Sequence, residues 1–237
     1  MKLRNPFSAL RRGEWALWIF SLIVVTTSFC LVRPFDPLTL IASLIGVTAL
    51  IFVSRGDVFG QILTVVFAVF YGIISYLFSY YGEMITYLCM TSPIAILSVI
   101  SWLRHPFEDQ AEVEVNRLRG KHWILLLALS AIVSVMFYFI LRSLGNANLL
   151  VSTLSVTTSF LASALTMLRS PYYALAYAAN DVVLIVLWIL ASAISLSYLP
   201  MVFCFLMFLI NDTYGFFNWQ RMQRRQARAK NSAAPLS

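Results

Sequence analysis

Pro171-Tyr-Tyr-Ala-Leu-Ala-Tyr-Ala-Ala-Asn-Asp-Val-Val-Leu-Ile-Val-Leu-Trp188 contains no lysine or arginine, and Asp181 is its one acid. A helix needs about 20 mostly apolar residues to cross the hydrocarbon core of a bilayer. This stretch has that length and character, and it also carries polar groups at depth. Seven further apolar stretches accompany it, giving eight in all at 15–32, 38–53, 58–79, 84–103, 123–141, 149–168, 172–191 and 196–217. The whole chain of 237 residues is 60% hydrophobic and 11% charged. A soluble domain carries roughly 45–50% apolar and about 25% charged residues. Composition therefore excludes a soluble enzyme, a disordered chain and a disulfide scaffold. The expectation is an all-α membrane protein with eight transmembrane helices. The run from Trp15 to Val32 is too long for the apolar part of a signal peptide and is read as the first span. Cys30, Cys89 and Cys204 all lie in apolar runs and read as small core hydrophobes.

The 17 basic residues outnumber the 10 acids, for a net charge of +7. In a soluble protein this would suggest nucleic acid; in a membrane protein it records orientation. With eight spans both termini lie on one side. Placing them in the cytoplasm puts 15 lysines and arginines inside and leaves only Arg33 and Arg142 outside. A multi-pass protein of the cytoplasmic membrane with both ends cytoplasmic follows, and no nucleic-acid partner is expected.

The polar segment from His105 to His122 reads as a solvated cytoplasmic linker, and its two histidines lack the companions that a metal site needs. The linker divides the chain into two triplets of spans with the same direction, separated by the lone span 123–141. The first helix of each triplet ends at a basic turn, Arg55 or Arg169, 114 positions apart. The last ends at Trp102 or Trp219, 117 positions apart. A parallel internal repeat is expected, with a site between the repeats near the midplane. The boundaries are 1–35 for a basic N-terminus and extra helix, 36–104 for the first repeat and 105–122 for the linker. They continue as 123–147 for the linker helix, 148–220 for the second repeat and 221–237 for a basic cytoplasmic tail.

Polar side chains at membrane depth are costly and mark candidate sites. Asn180 and Asp181 lie about 16–18 Å beyond Arg169 at 1.5 Å per residue, near the midplane. Tyr173, Tyr177 and Asp181 follow one helical stripe that Trp188 extends, a surface able to stack a planar ring. On the last span Asn211, Tyr214, Gly215 and Asn218 share a face, with Asp212 beside them. The first triplet offers Gln61, Thr64, Ala68, Tyr71 and Ser75 on one stripe, with Gln61 near an inner gate. Tyr87 and Thr91 precede Pro93, which bends a helix or frees a carbonyl. Among the acids, only Asp181 and Asp212 read as lying well inside spans. There is no phosphate-binding loop for ATP and no Ser–His pair at depth. No cofactor and no metal are expected. An intramembrane enzyme and a non-transporting scaffold or receptor are the alternatives from other classes.

Tyr81-Gly82-Glu83-Met-Ile-Thr-Tyr87, Ile100-Ser-Trp-Leu-Arg-His-Pro106, Glu112-Val-Glu-Val-Asn-Arg117, Ser170 to Asp181 and Tyr214-Gly-Phe-Phe-Asn-Trp219 together resemble the PnuC family, the bacterial nicotinamide riboside transporters. The likeness covers about residues 35–222 and is strongest to the branch of Gram-positive bacteria. It implies a three-plus-one-plus-three helical fold related to SWEET transporters, generally a homotrimer, with an additional N-terminal helix here. It also implies uptake by facilitated diffusion, with a cytoplasmic kinase trapping the imported nucleoside for NAD biosynthesis. Family members selective for nicotinamide riboside carry W-x-x-W-x-x-x-N in the second helix of the second triplet. Aligned on Asp181, this chain has Ala174, Tyr177 and Asp181 there; aligned on Asn180, it has Tyr173, Ala176 and Asn180. Both tryptophans are gone, which leaves ring stacking to Tyr177 or Trp188. Relatives associated with deoxyribonucleosides, thiamine or riboflavin keep those ligands open.

Overall fold

The computed structural model describes residues 5–77, 81–108, 112–146 and 148–233. Eight apolar helices make up the body among these residues. They are α1 (Arg12–Leu31), α2 (Pro37–Val53), α3 (Val58–Leu77), α4 (Tyr81–Leu103), α5 (Gly120–Ser143), α6 (Leu149–Met167), α7 (Tyr173–Ile194) and α8 (Leu199–Ala233). Seven are long and apolar enough to cross a membrane; α2, with 17 residues, is shorter. Outward faces are apolar, as at Ile124, Ile132 and Phe139 of α5, which suits lipid rather than water. Cys204 is buried, whereas Cys30 and Cys89 face outward, because a lipid-facing surface accepts a small apolar side chain as readily as a core does.

Local chemistry sets the ends. Pro37 opens α2 at the position where its missing N–H costs nothing, and the Asp36 carboxylate accepts from Leu38 N and Thr39 N at 3.1 Å each. The Asp57 carboxylate accepts from Phe59 N at 2.9 Å at the start of α3. Pro93 leaves its mark on α4, where Thr86–Thr91 winds as a π-helix. Ser92 donates to Tyr87 O through both its backbone N–H and its hydroxyl, the latter at 2.8 Å. The widened turn reassigns the carbonyls that a proline would otherwise orphan.

α2, α3 and α4 pack in sequence, as do α6, α7 and α8. α4 packs on α6, α8 packs on α2, α1 covers α2 and α8, and α5 lies against α6. The two groups are tied by crossed hydrogen bonds at one end. At the end of α4, Ser101 Oγ donates to Met167 O (2.8 Å) and Trp102 Nε1 to Thr166 O (3.0 Å), both at the end of α6. On α8, Asn218 Nδ2 donates to Ser54 O (2.8 Å) and Trp219 Nε1 to Val53 O (2.9 Å), at the end of α2. Both indoles are fully buried, with ring centroids 5.4 Å apart.

The turns that follow α2 and α6 also match. Gly56 and Arg169 both have left-handed backbones, with φ of 70° and 57°. Gly56 N donates to Val53 O, and Arg169 N to Thr166 O, each at 2.9 Å. Matched on these left-handed residues, Arg169 lines up with Gly56 at an offset of 113, while the two helix ends, Val53 and Met167, are 114 apart. Glycine reaches this conformation freely; an arginine there is held by its surroundings.

The segment expected as a solvated linker is instead a packed strap. Val113 is fully buried, and its N–H donates to Gly56 O at 2.9 Å. Asn116 N donates to Arg169 O at 2.9 Å, so the strap touches both left-handed turns. The expected tail is helical too, since α8 continues to Ala233. Gln226, buried on that extension, accepts from Val115 N (2.8 Å) and donates to Glu112 Oε1 (2.7 Å) and Val113 O (3.0 Å). Arg225 pairs with Glu112 and Lys230 with Glu114. The hydrogen bond from Lys230 is the main cause that holds the Glu114 carboxyl below the usual carboxylate range. That contribution is present above the ordinary glutamate pKa and is lost as pH falls through the lowered folded value.

Glu14 forms a third tie. It is buried, pairs with Arg55, and accepts from Tyr214 Oη (2.9 Å) and Arg11 N (2.7 Å). It thus joins α1, the α2–α3 turn and α8. Glu14→Ala strands Arg55, and a loss of about 3 kcal/mol is expected for one broken member of a largely buried pair. Thermal unfolding of the detergent-solubilised protein measures it. Glu14→Ala/Arg55→Ala is expected to lose less than the sum of the single variants, and additive losses would show the pair to be uncoupled.

Candidate functional site

Two cavities enter the bundle from the side opposite the Trp102–Trp219 end. The first, about 470 Å³, runs from the α5–α6 connection (Leu144, Gly145, Asn146, Asn148) down to Asn180. The second, about 480 Å³, lies beneath the α1–α2 connection and includes Asp36. Tyr71, Glu83, Trp188 and Tyr198 belong to the walls of both and form the partition between them.

The partition is aromatic. Tyr71 and Tyr87 have ring centroids 4.6 Å apart, and Trp188 and Tyr198 are 5.8 Å apart with planes tilted by 39°. Trp188 is only 7% exposed, and its Nε1 is buried without a hydrogen-bond partner. An indole N–H can only donate, so this group is a donor awaiting an acceptor at the cavity wall. Asn180 supplies a second polar point at the inner end. Its Oδ1 accepts from Thr158 Oγ1 at 2.8 Å and from Ser155 Oγ at 3.4 Å. Holding the oxygen leaves the amide N–H groups to the cavity. Such a pocket, mostly apolar with a few fixed polar groups, suits a small planar ligand with hydrogen-bonding edges.

Four of the residues singled out from sequence meet here: Asn180, Trp188, Tyr71 and Tyr87. The rest of the expected stripe on α7, Tyr173, Tyr177 and Asp181, lies outside both cavity walls, although Trp188 at the outer end of the same stripe lines them. Asp181, 2% exposed, lies beside the buried Asp212 of α8, and its Oδ2 has no hydrogen-bond partner. Tyr177 Oη hydrogen-bonds Ser163 Oγ at 3.0 Å. Tyr173 is fully buried against Trp219, with centroids 4.8 Å apart. A Cβ at Gly215 would stand 3.1 Å from the Tyr173 hydroxyl, so this glycine admits a tyrosine rather than a ligand.

Asn211 joins helices, donating to Ser21 Oγ (3.0 Å) and Met207 O (2.8 Å). Tyr214 serves Glu14. Gln61 and Thr91 are buried and outside both cavity walls.

Glu83 and Glu14 were not singled out from sequence, because each sits in the first turn of its helix, where acids are ordinary. Ser75, on the expected polar stripe of α3, lies 3.5 Å from a Glu83 carboxylate oxygen and lines the second cavity. Thr158 and Ser155, which orient Asn180, carried no signal in a run already rich in serine and threonine.

A cysteine scan tests this placement without reference to a ligand. In a background lacking Cys30, Cys89 and Cys204, Asn180→Cys is expected to react with a membrane-impermeant thiol reagent applied from the α5–α6 side. Asp181→Cys is expected to be protected at least tenfold. Equal labelling would contradict the assignment of the cavity face.

The family described as "Nicotinamide mononucleotide transporter" matches residues 36–221. A nicotinamide riboside transporter PnuC of Neisseria mucosa is 24% identical over 91% of this chain and 85% of its own length. One of Haemophilus influenzae is 22% identical over 94% and 97%. A crystal structure of the vitamin B3 transporter PnuC superposes with a TM-score of 0.76 at 23% identity, covering 92% of this chain and 94% of that one.

Proposed function

The chain belongs to the nicotinamide mononucleotide transporter family, and on that premise we propose that it carries nicotinamide riboside rather than the mononucleotide. One observation carries the choice. Among the described residues no lysine or arginine lines either cavity, and the acids that do are Glu83 and Asp36. A phosphate group bears close to two negative charges at neutral pH and calls for cationic or backbone donors. Beside Glu83 it would meet repulsion instead. A riboside presents a flat amide-bearing ring and sugar hydroxyls, which the Tyr71–Tyr87 and Trp188–Tyr198 rings, the free Trp188 N–H and Asn180 suit.

The family is one of transporters rather than enzymes. Transport here is facilitated diffusion, with uptake made directional by a cytoplasmic kinase. The crossed hydrogen bonds at 101–102 and 218–219, and the matched turns after α2 and α6, support two parallel repeats with α5 between them and α1 added. On this reading α2, although short, spans the membrane as the eighth helix. The distribution of 15 basic residues against two supports cytoplasmic termini in the cytoplasmic membrane. The PnuC likeness supports a homotrimer. Asp181, Tyr177, Tyr173, Gln61 and Thr91 are proposed as the inner part of the substrate path when the bundle opens to the other side, whereas Asn211 and Tyr214 are engaged by Ser21 and Glu14 of α1.

Uptake of radiolabelled nicotinamide riboside into liposomes holding the purified protein is the test. Uptake is expected to persist when the membrane potential and pH gradient are collapsed, and unlabelled mononucleotide is expected not to compete. Trp188→Ala is expected to weaken binding about 5- to 150-fold, since stacking on an aromatic side chain contributes about 1–3 kcal/mol. Competition by the mononucleotide at equal concentration would overturn the riboside assignment.

A further inference from the structure

We propose that Glu83 is the counter-ion for a positively charged aromatic ring, making the outer half of this path selective for cationic heterocycles over uncharged ones. The inference rests on the transport reading above and names the feature of the ligand that the site recognises.

Glu83 is the one acid in the walls of both cavities. Its described neighbours are neutral donors. Ser75 Oγ lies 3.5 Å away, and the Tyr71 hydroxyl hydrogen-bonds it. The ion pairs among the described residues lie elsewhere, at Glu14, Glu112 and Glu114. Arg33 and Arg142, at the same end of the bundle, are exposed and line neither cavity. Glu83 stands in the first turn of α4, where the helix dipole favours a negative charge. A carboxylate placed in a membrane protein without a cation calls for a partner, and here that partner is left to the cavity.

The surroundings narrow the partner's chemistry. Tyr71, Tyr87, Trp188 and Tyr198 offer ring faces, which attract cations as well as flat rings. The Trp188 Nε1, 7% exposed and with no partner of its own, is a second polar group in the partition left open to a ligand. Aromatic faces, one carboxylate and one free N–H together describe a planar cation that also carries a hydrogen-bond acceptor. Nicotinamide riboside fits, with a quaternary pyridinium nitrogen and a carboxamide oxygen. Thiamine, with its thiazolium, shares the charge; riboflavin and deoxyribonucleosides lack it.

The decisive comparison uses nicotinamide riboside and its 1,4-dihydro form, which keeps the size and hydrogen-bonding groups but loses the ring charge. Calorimetry on the purified full chain is expected to show at least tenfold tighter binding of the oxidised cation. Glu83→Gln keeps the volume of the side chain and removes its charge. It is expected to weaken the cation at least tenfold and leave the dihydro form unchanged, which also verifies that the variant is folded. An unaltered preference in Glu83→Gln, or equal losses for both ligands, would overturn the proposal. If thiamine binds in place of nicotinamide riboside and weakens in Glu83→Gln, the riboside reading falls and the counter-ion role stands. If an uncharged nucleoside binds best, the counter-ion role falls and transport itself stands.

Discussion

Every backbone carbonyl that a helix end leaves open must find a donor, and in a membrane the protein itself must supply it. The structure meets this demand at the ends of α2 and α6 with a crossed arrangement. The donors for the end of α6 come from α4, and those for the end of α2 come from α8. Val53 O and Thr166 O each accept from their own turn, Gly56 N and Arg169 N, and in addition from an indole of the opposite half. The two buried indoles that do this also touch each other, so the tie is at once a hydrogen-bonding device and the centre of an apolar cluster with Tyr173, Val113 and Met222. With one end fixed in this way, the other end is where the helices separate around cavities.

That division explains the character of the site. At the fixed end Tyr177 is used on Ser163 and Asn218 on Ser54, while Tyr173 Oη stays buried without a partner. In the cavity partition the group without a partner is Trp188 Nε1. Binding free energy comes from polar groups whose bonds are still to be made, because satisfied groups gain nothing from a ligand. The aromatic residues carry the apolar share of recognition, and the lack of cations in the cavity walls sets the sign of the charge that is welcome.

Much of the fold was legible because hydrophobic length and the placement of lysine and arginine are one-dimensional signals. The spans and the division at the polar segment came directly from them. Trp102 and Trp219 were found as interfacial tryptophans, although their true role, capping a helix in the opposite half, is a contact across more than 60 positions. The strap was misread because charge suggested solvent, while Val113 and Gln226 were too few to signal burial. The site was half legible. Asn180, Trp188, Tyr71 and Tyr87 stand out by type and depth. The helical stripe through Tyr173, Tyr177 and Asp181 was real, but periodicity alone does not say whether a stripe faces a cavity or a neighbouring helix. Glu83 was obscured by its place at a helix start, where acids are ordinary.

The strap between α4 and α5 sets a limit on motion. Its Val113 holds the turn after α2 and its Asn116 holds the turn after α6. Those anchors are three residues apart, and an extended chain spans at most about 3.6 Å per residue. The two turns are therefore leashed to a separation that the strap cannot exceed by more than about 11 Å between its own anchor points. A rocking motion that parted the halves at this end would have to break the leash or carry it along. The strap thus ties the two turns to one another, and α8, bound to it through Gln226, would have to move with them.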